Sequence, residues 1–336
     1  MEQAQSVVGI DVSKKKIDIA LLRNGKTKSK ALNNTPEGHV ELLAWLVDSK
    51  VDMATVHICM EATGVYYEAL ALAMHDAGLK VSVVNPSCIK GFGRSENIRN
   101  KNDTIDSALI ARYCAAMKPE PWVPQPLEQR QLRAWSLRVQ SLKDIRQQEE
   151  NRHEAHVISG MTDVAAHVTE HIKWIDDQIK KLEKDIDDHI DRHPGLKHDA
   201  KLLASIPGIG ATTVARILGH LGDVRRFKNA KALSAFLGVT PKHNTSGTSV
   251  KGRSVICRTG STSMRAALFM PSMVAYRYNP IVKQFAERLL ETGHSKKAVI
   301  CAIMHKMTHL IYGVIRTGKP FDANYFSKQL AIQDGI

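Results

Sequence analysis

The chain has 336 residues, 43% of them hydrophobic, and a formal net charge of +13. At about 100–200 residues per domain this length predicts two or three domains with a sizeable core, and no run of about 18 or more apolar residues marks a membrane span. The five cysteines are scattered singly, without zinc-ligand spacing or a disulfide framework, and the first residues lack a charged-then-apolar leader, so a reducing cytoplasm is expected. The charge is unevenly placed: 21 Lys and Arg stand against 6 Asp and Glu from Gly195 onward, and 26 against 28 before it. A basic field of that kind attracts phosphate backbones.

In chain order, Ser6 to Leu22 reads as two strands broken at Ser13–Lys16, and Lys26 to Leu32 as a third. Thr35 is placed to cap a helix with Pro36 at its first position and Glu37 in its first turn, running to about Asp48. Val56–Met60 is a short apolar strand, Tyr66–Ala77 a helix stopped by Gly78, and Lys80–Val84 a strand ended by Asn85–Pro86. Thr104–Ala116 reads as a helix. The order β-β-β-α-β-α-β-α predicts an α/β domain of ribonuclease H-like type over residues 1–125.

The proline-rich stretch 119–126 marks a boundary. Residues 126–194 read as a helical, coiled-coil-like arm: two long helices broken near Ser159–Gly160. Ile172, Ile175, Ile179, Leu182, Ile186 and Ile190 recur at spacings of three and four. Such a seam serves an intramolecular hairpin or a dimerisation arm equally well. Residues 195–336 read as a mainly α domain, opened by the turn Ile206-Pro207-Gly208-Ile209-Gly210 before a helix at Ala211–Leu221. A Gly/Ser/Thr-rich loop follows over Pro241–Ser263, then helices near 264–275, 281–291 and 296–315.

Four carboxylates stand out by placement. Asp11 ends a hydrophobic strand, Glu61 follows another, and Asp103 and Asp106 share one side of a helix start. Converging oxygen ligands of this kind suit magnesium, or manganese, bound through one or two carboxylates with waters and substrate phosphate. Asp18 and Glu68, nearby in sequence, lack that placement. In the basic segment, Ser246 lies among glycines and cations that fit phosphate: Gly247, Lys251, Arg253, Arg258 and Arg265. A serine so placed is either a polar phosphate contact or a nucleophile toward a phosphodiester. Gly208 and Gly210, in a turn of helix-hairpin-helix appearance, are candidates to present backbone N–H groups to phosphate.

Together these stretches resemble the DEDD transposases of the IS110 and IS1111 insertion sequences, over nearly the whole chain. The resemblance is carried by Gly9-Ile10-Asp11-Val12-Ser13-Lys14, Glu61-Ala62-Thr63-Gly64 and Lys101-Asn102-Asp103-Thr104-Ile105-Asp106. It continues through Ile206–Gly210, Gly238-Val239-Thr240-Pro241, Ser246-Gly247, Gly252-Arg253, Gly260 and Arg265. Thr248 stands where the family often has glycine, and Ser107 where it often has alanine. The resemblance implies a RuvC-like domain whose Asp11, Glu61, Asp103 and Asp106 bind magnesium. It implies a C-terminal transposase domain in which Ser246 forms a 5′-phosphoserine link to DNA. It also implies a structured non-coding guide RNA that pairs with donor and target DNA, and a dimer or tetramer with composite active sites. The rival readings are a RuvC-like junction endonuclease that uses water, an actin-like ATPase or sugar kinase, and a non-catalytic nucleic-acid-binding relic. The ATPase or kinase would need a second glycine-rich phosphate loop, which the sequence lacks.

Overall fold

The computed structural model describes residues 6–96, 103–242, 245–246, 250–251, 255–257 and 260–324. Contacts divide the chain into two compact units, Met1–Pro124 and Gln125–Ile336, so the long helices fall with the C-terminal segment.

The first unit contains β1 (Val7–Val12), β2 (Lys16–Arg23), β3 (Lys26–Asn33), α1 (Pro36–Asp48), β4 (His57–Glu61), α2 (Tyr67–Asp76), β5 (Lys80–Val84), α3 (Pro86–Ser95) and α4 (Asp103–Met117). Its single sheet has the order β3-β2-β1-β4-β5. β1, β2 and β3 are antiparallel neighbours, and β4 and β5 run parallel to β1. This mixed sheet has the strand order of the ribonuclease H-like fold anticipated above. The β2–β3 turn is Asn24-Gly25, both at positive φ (50° and 72°), the two-residue hairpin turn that matches strand twist. Thr35 caps α1 by accepting from the Gly38 N–H, with Pro36 in the first turn. α3 is an addition to the sequence reading. Asn85 and Pro86 do end β5, but the Asn85 side chain also accepts from the Ser87 N–H and starts a helix there.

Strand alternation sorts the core into two layers. Val8, Ile10 and Val12 of β1 and Ile58 and Met60 of β4 pack with Leu42, Leu46, Leu70 and Met74 of α1 and α2. On the opposite face, Val7, Cys59 and Val84 pack with Ile89 of α3 and Leu109, Ile110 and Cys114 of α4. Gly9 shares the second face. A Cβ on it would lie 2.2 Å from both the Ala111 nitrogen and the Ser107 carbonyl oxygen. Backbone of α4 therefore rests on backbone of β1 with no side chain between them.

The second unit begins with α5 (Leu127–Ile158) and α6 (Thr162–Arg192), then α7 (Pro194–Ala204), α8 (Ala211–Leu221) and α9 (Ala230–Leu237). Four two-residue strands follow: β6 (Pro241–Lys242), β7 (Thr245–Ser246), β8 (Val250–Lys251) and β9 (Val255–Ile256). The unit ends with α10 (Thr262–Tyr278), α11 (Pro280–Glu291) and α12 (Lys296–Thr317). α5 and α6 form a hairpin that turns at Ser159–Gly160, with Gly160 at φ 75°. Ile175, Ile179, Ile186 and Ile190 are buried in one cluster with Leu132, Val139 and Leu142, so the isoleucine seam is used inside the chain. Lys143–Glu183 (2.7 Å) and Arg146–Asp176 (2.6 Å) bridge the two helices at their flanks.

α12 is the one described helix long and apolar enough to span a membrane by length and composition. Its Val299, Ile303, Met307, Ile311 and Ile315 fill the C-terminal core, which accounts for the apolar sequence without a bilayer.

Gly9→Ala should destabilise the N-terminal unit by about 3 kcal/mol or prevent its folding, since the obstructing atoms are backbone and cannot rotate away. Gly91→Ala in α3, where nothing lies within 4 Å of the added Cβ, should be neutral or slightly stabilising. Thermal unfolding of the two variants decides it: equal melting temperatures would mean the α4–β1 contact tolerates a methyl group.

Candidate active site and nucleic-acid interface

The register of β1 builds the acidic edge. Ile10 is level with Met60 in the parallel pair, so the next residue of each strand, Asp11 and Glu61, stand side by side. Asp11 lies two residues beyond Gly9 and Glu61 two beyond Cys59, and both project on the face covered by α4. Asp106 precedes Ser107, whose carbonyl meets Gly9, so the first turns of α4 lie at the same end of β1. The Asp103 side chain lies outside the described residues. The Glu61 carboxylate accepts a hydrogen bond from the Thr63 hydroxyl at 3.0 Å.

Asp18, which lacks that placement in the sequence, belongs to the same face. It pairs directly across from Asp11, is buried, and forms an ion pair with Lys16 at 2.8 Å. The signal that could have found it is the hairpin itself: a turn at Ser13–Lys16 sets residues 11 and 18 opposite one another. Below the acids the face turns to packing. The His57 Nε2 lies 2.8 Å from the Ser82 hydroxyl, which donates to the Glu120 carbonyl. The hydrogen bond with Cys114, together with burial, pushes the Cys59 thiol up, so it remains neutral.

Magnesium needs few protein ligands, and an edge of hard carboxylate oxygens matches its preference. Among the described residues no three His, Cys, Asp or Glu side chains gather closely enough to hold a metal by themselves. Asp11 and Glu61 do not form a closed protein cage among the described residues.

In the second unit, β6 pairs with β9 and β7 with β8, two nested antiparallel pairs with Ser246 opposite Val250. The side chains of Ser246 and Lys251 lie outside the described residues, as do Gly247, Arg253 and Arg258 altogether. The base of this hairpin is well defined. Gly260, at φ 151°, would place a Cβ 2.6 Å from the Gly238 nitrogen and 2.7 Å from the Phe236 carbonyl, at the left-handed C-cap of α9. Arg265 donates to the Gly260 carbonyl (3.0 Å) and to the Thr262 hydroxyl (2.9 Å), fastening the entry to α10. Gly208 has φ 105° and lets α10 approach: a Cβ there would lie 2.8 Å from the Ala275 Cβ and the Pro271 carbonyl. Gly210 is exposed at the N-cap of α8, with nothing within 4 Å of a Cβ.

Residues 8–160 match the model of the DEDD-type IS110 transposases, and residues 200–287 that of the transposase IS116/IS110/IS902 family. The pilin gene-inverting protein of Moraxella bovis is 35% identical over 322 residues, covering 95% of this chain and 98% of the relative. The chain belongs to the IS110 transposase family. The transposase for insertion sequence element IS1328 of Yersinia enterocolitica is 22% identical, over 80% of this chain and 87% of the relative. Among solved structures, T. thermophilus RuvC in complex with Holliday junction substrate aligns at 14% identity and a TM-score of 0.28, covering 35% of this chain and 99% of that one. The first family match spans β1, β4 and α4 with the acids, and the second spans α8 through most of α11 with the serine hairpin.

Glu61→Gln keeps an acceptor for Thr63 and removes a like charge beside Asp11. Without metal it should melt within about 0.5 kcal/mol of the wild type, or slightly higher. A loss above about 1 kcal/mol would make Glu61 a scaffold residue instead.

Proposed function

We propose that this IS110-family protein is a DNA recombinase that moves or inverts DNA segments by way of a serine-linked intermediate. The observation that carries the reading is the β1–β4 register, with Asp11 beside Glu61 at the strand ends under the helix that bears Asp106. Full-length similarity to proteins named for inverting a pilin gene supports it. Inversion requires cut ends to be rejoined, and a covalent protein–DNA link keeps the energy of the broken phosphodiester bond for that rejoining.

In this reading Asp11, Glu61, Asp103 and Asp106 hold magnesium, with manganese as a substitute. The ion supplies Lewis-acid stabilisation of charge on the scissile phosphate. The Ser246 Oγ attacks phosphorus and loses its proton to solvent. The bond to the 3′ oxygen breaks, that oxygen takes up a proton, and the 5′ phosphate is left on serine. A 3′-hydroxyl from the exchanged strand then attacks the phosphoserine, restoring the backbone and the serine hydroxyl. Arg253, Arg258 and Arg265, with Lys251 and the backbone of Gly247, steady the phosphates. Gly208 and Gly210 offer backbone N–H groups to a neighbouring strand. Donor and target DNA are selected by a structured non-coding guide RNA. The working assembly is a dimer or tetramer in which acids of one subunit serve the serine of another, in the bacterial cytoplasm at the nucleoid.

Covalent trapping tests the chemistry. With element-end RNA, labelled donor and target DNA and magnesium, the wild type should give a protein–DNA band on denaturing gels. Ser246→Ala and Asp11→Ala should each abolish it. Cleavage without a band would instead assign the protein to water-using junction endonucleases. Magnesium alone should raise the melting temperature of the wild type by a few degrees, and that rise should be absent in Glu61→Gln. An equal rise in both would remove Glu61 from the metal set.

A further inference from the structure

The nucleic-acid reading above leaves unexplained a group of cations away from the serine hairpin. α8 crosses α5 at a second backbone contact: a Cβ on Gly219 would lie 2.6 Å from the Arg133 nitrogen. That crossing brings Arg133, Arg216 and His220 to the rim of one shallow surface depression, with Ser136, Ser263 and Met264, whose enclosed space of about 10 Å³ is that of a single water. Arg216 is half-buried, and all of its described hydrogen bonds go to neutral groups. These are the Gln140 amide oxygen at 3.0 Å, the Ser263 hydroxyl at 3.2 Å and the Ser263 carbonyl at 3.3 Å. The Asp144 carboxylate accepts from the Gln140 amide at 2.7 Å and also acts on Arg216 through space.

The charges that act on His220 are positive. His220 reports the same field: burial, then Arg133, Arg216 and Arg226, push it down to about 4, so it stays neutral among the arginines at physiological pH. Burial of the Arg216 guanidinium outweighs the attraction of Asp144 and lowers its pKa, so its half-buried charge is only partly compensated in the free protein. An arriving anion recovers that energy, and Arg216 and Arg133 present forked donors suited to phosphate oxygens. Ser263, in the first turn of α10, adds a hydroxyl at the positive end of a 17-residue helix.

We propose that this depression between α5, α8 and the start of α10 docks a backbone phosphate of the bound nucleic acid through Arg216, Arg133 and Ser263. The proposal rests on the reading of this family member as a nucleic-acid-binding recombinase and adds a contact site to it. The phosphodiester chemistry is common to the DNA end and to the guide RNA, so the two are tested separately.

Binding of the full-length protein to element-end duplex DNA and to the RNA of the same end is measured from about 50 to 200 mM salt. In Arg216→Gln the slope of log affinity against log salt should become shallower by about 1 on the ligand that docks there, with an affinity loss of about tenfold near 100 mM salt. The ligand that shows the change identifies the source. Arg216→Lys, which keeps the charge, should retain the slope, and Arg133→Gln gives an independent reading should Arg216→Gln fold poorly. Purely structural damage would lower affinity or melting temperature without changing the slope. Wild-type slopes for both glutamine variants on both ligands would overturn the phosphate site and leave the recombinase reading intact. A wild type that binds neither DNA nor RNA would overturn both.

Discussion

Everything at the acidic edge depends on a helix lying against a strand with no side chain between them. At Gly9 the β1 backbone meets the α4 backbone at Ser107 and Ala111. Helices normally pack on sheets at a distance set by their side chains, about 10 Å. Removing the Cβ at one position lowers α4 locally and fixes where its first turns sit along β1. Strand alternation does the rest: residue 11 follows residue 9 on the same face, and the parallel register adds Glu61 beside it. Ser107 is fully buried at this contact.

The charge distribution makes sense in the same terms. Three acidic side chains of the first unit, Asp11, Asp18 and Glu61, share one face of adjacent strands, and like charges directly opposite one another are unfavourable. Lys16 offsets one of them by pairing with Asp18. The second unit carries the opposite imbalance, with Arg216 half-buried and bonded to neutral acceptors. Concentrations of one sign are often places where stability is given up for binding.

The elements of the first unit were legible because alternation and capping are local. Thr35–Pro36–Glu37, the short apolar strands and the Gly78 stop all reflect energies within a few residues. Asp18 was not legible in that way, because its importance appears only when β2 folds back on β1. α3 and α9 were hidden for a simpler reason: each is short, and α3 contains Gly91 and Gly93. In the long hairpin the isoleucine seam announced a partner, and nothing in its spacing distinguished α5 of the same chain from a second subunit. The burial of Ile175 and Ile186 against Leu132, Val139 and Leu142 supplies the partner from within.

Glycine is where sequence reasoning and structure differ most instructively. Gly208, Gly260 and Gly9 look alike in a sequence as small residues in loops or strands, and in a basic segment they invite a phosphate role. In the structure each marks a backbone contact: Gly208 with α10, Gly260 with the end of α9, Gly9 with α4. Arg265 likewise spends two donors on the Gly260 carbonyl and Thr262. A guanidinium has five donors, so this anchoring leaves capacity for phosphate while fixing the base from which β7 and Ser246 extend. The string of spaced glycines and arginines that surrounds the serine thus has a mechanical meaning before any chemical one. A two-residue strand cannot hold a side chain in place by itself. The close contacts of Gly260 with the end of α9 and the hydrogen bonds of Arg265 supply anchoring from outside the strands.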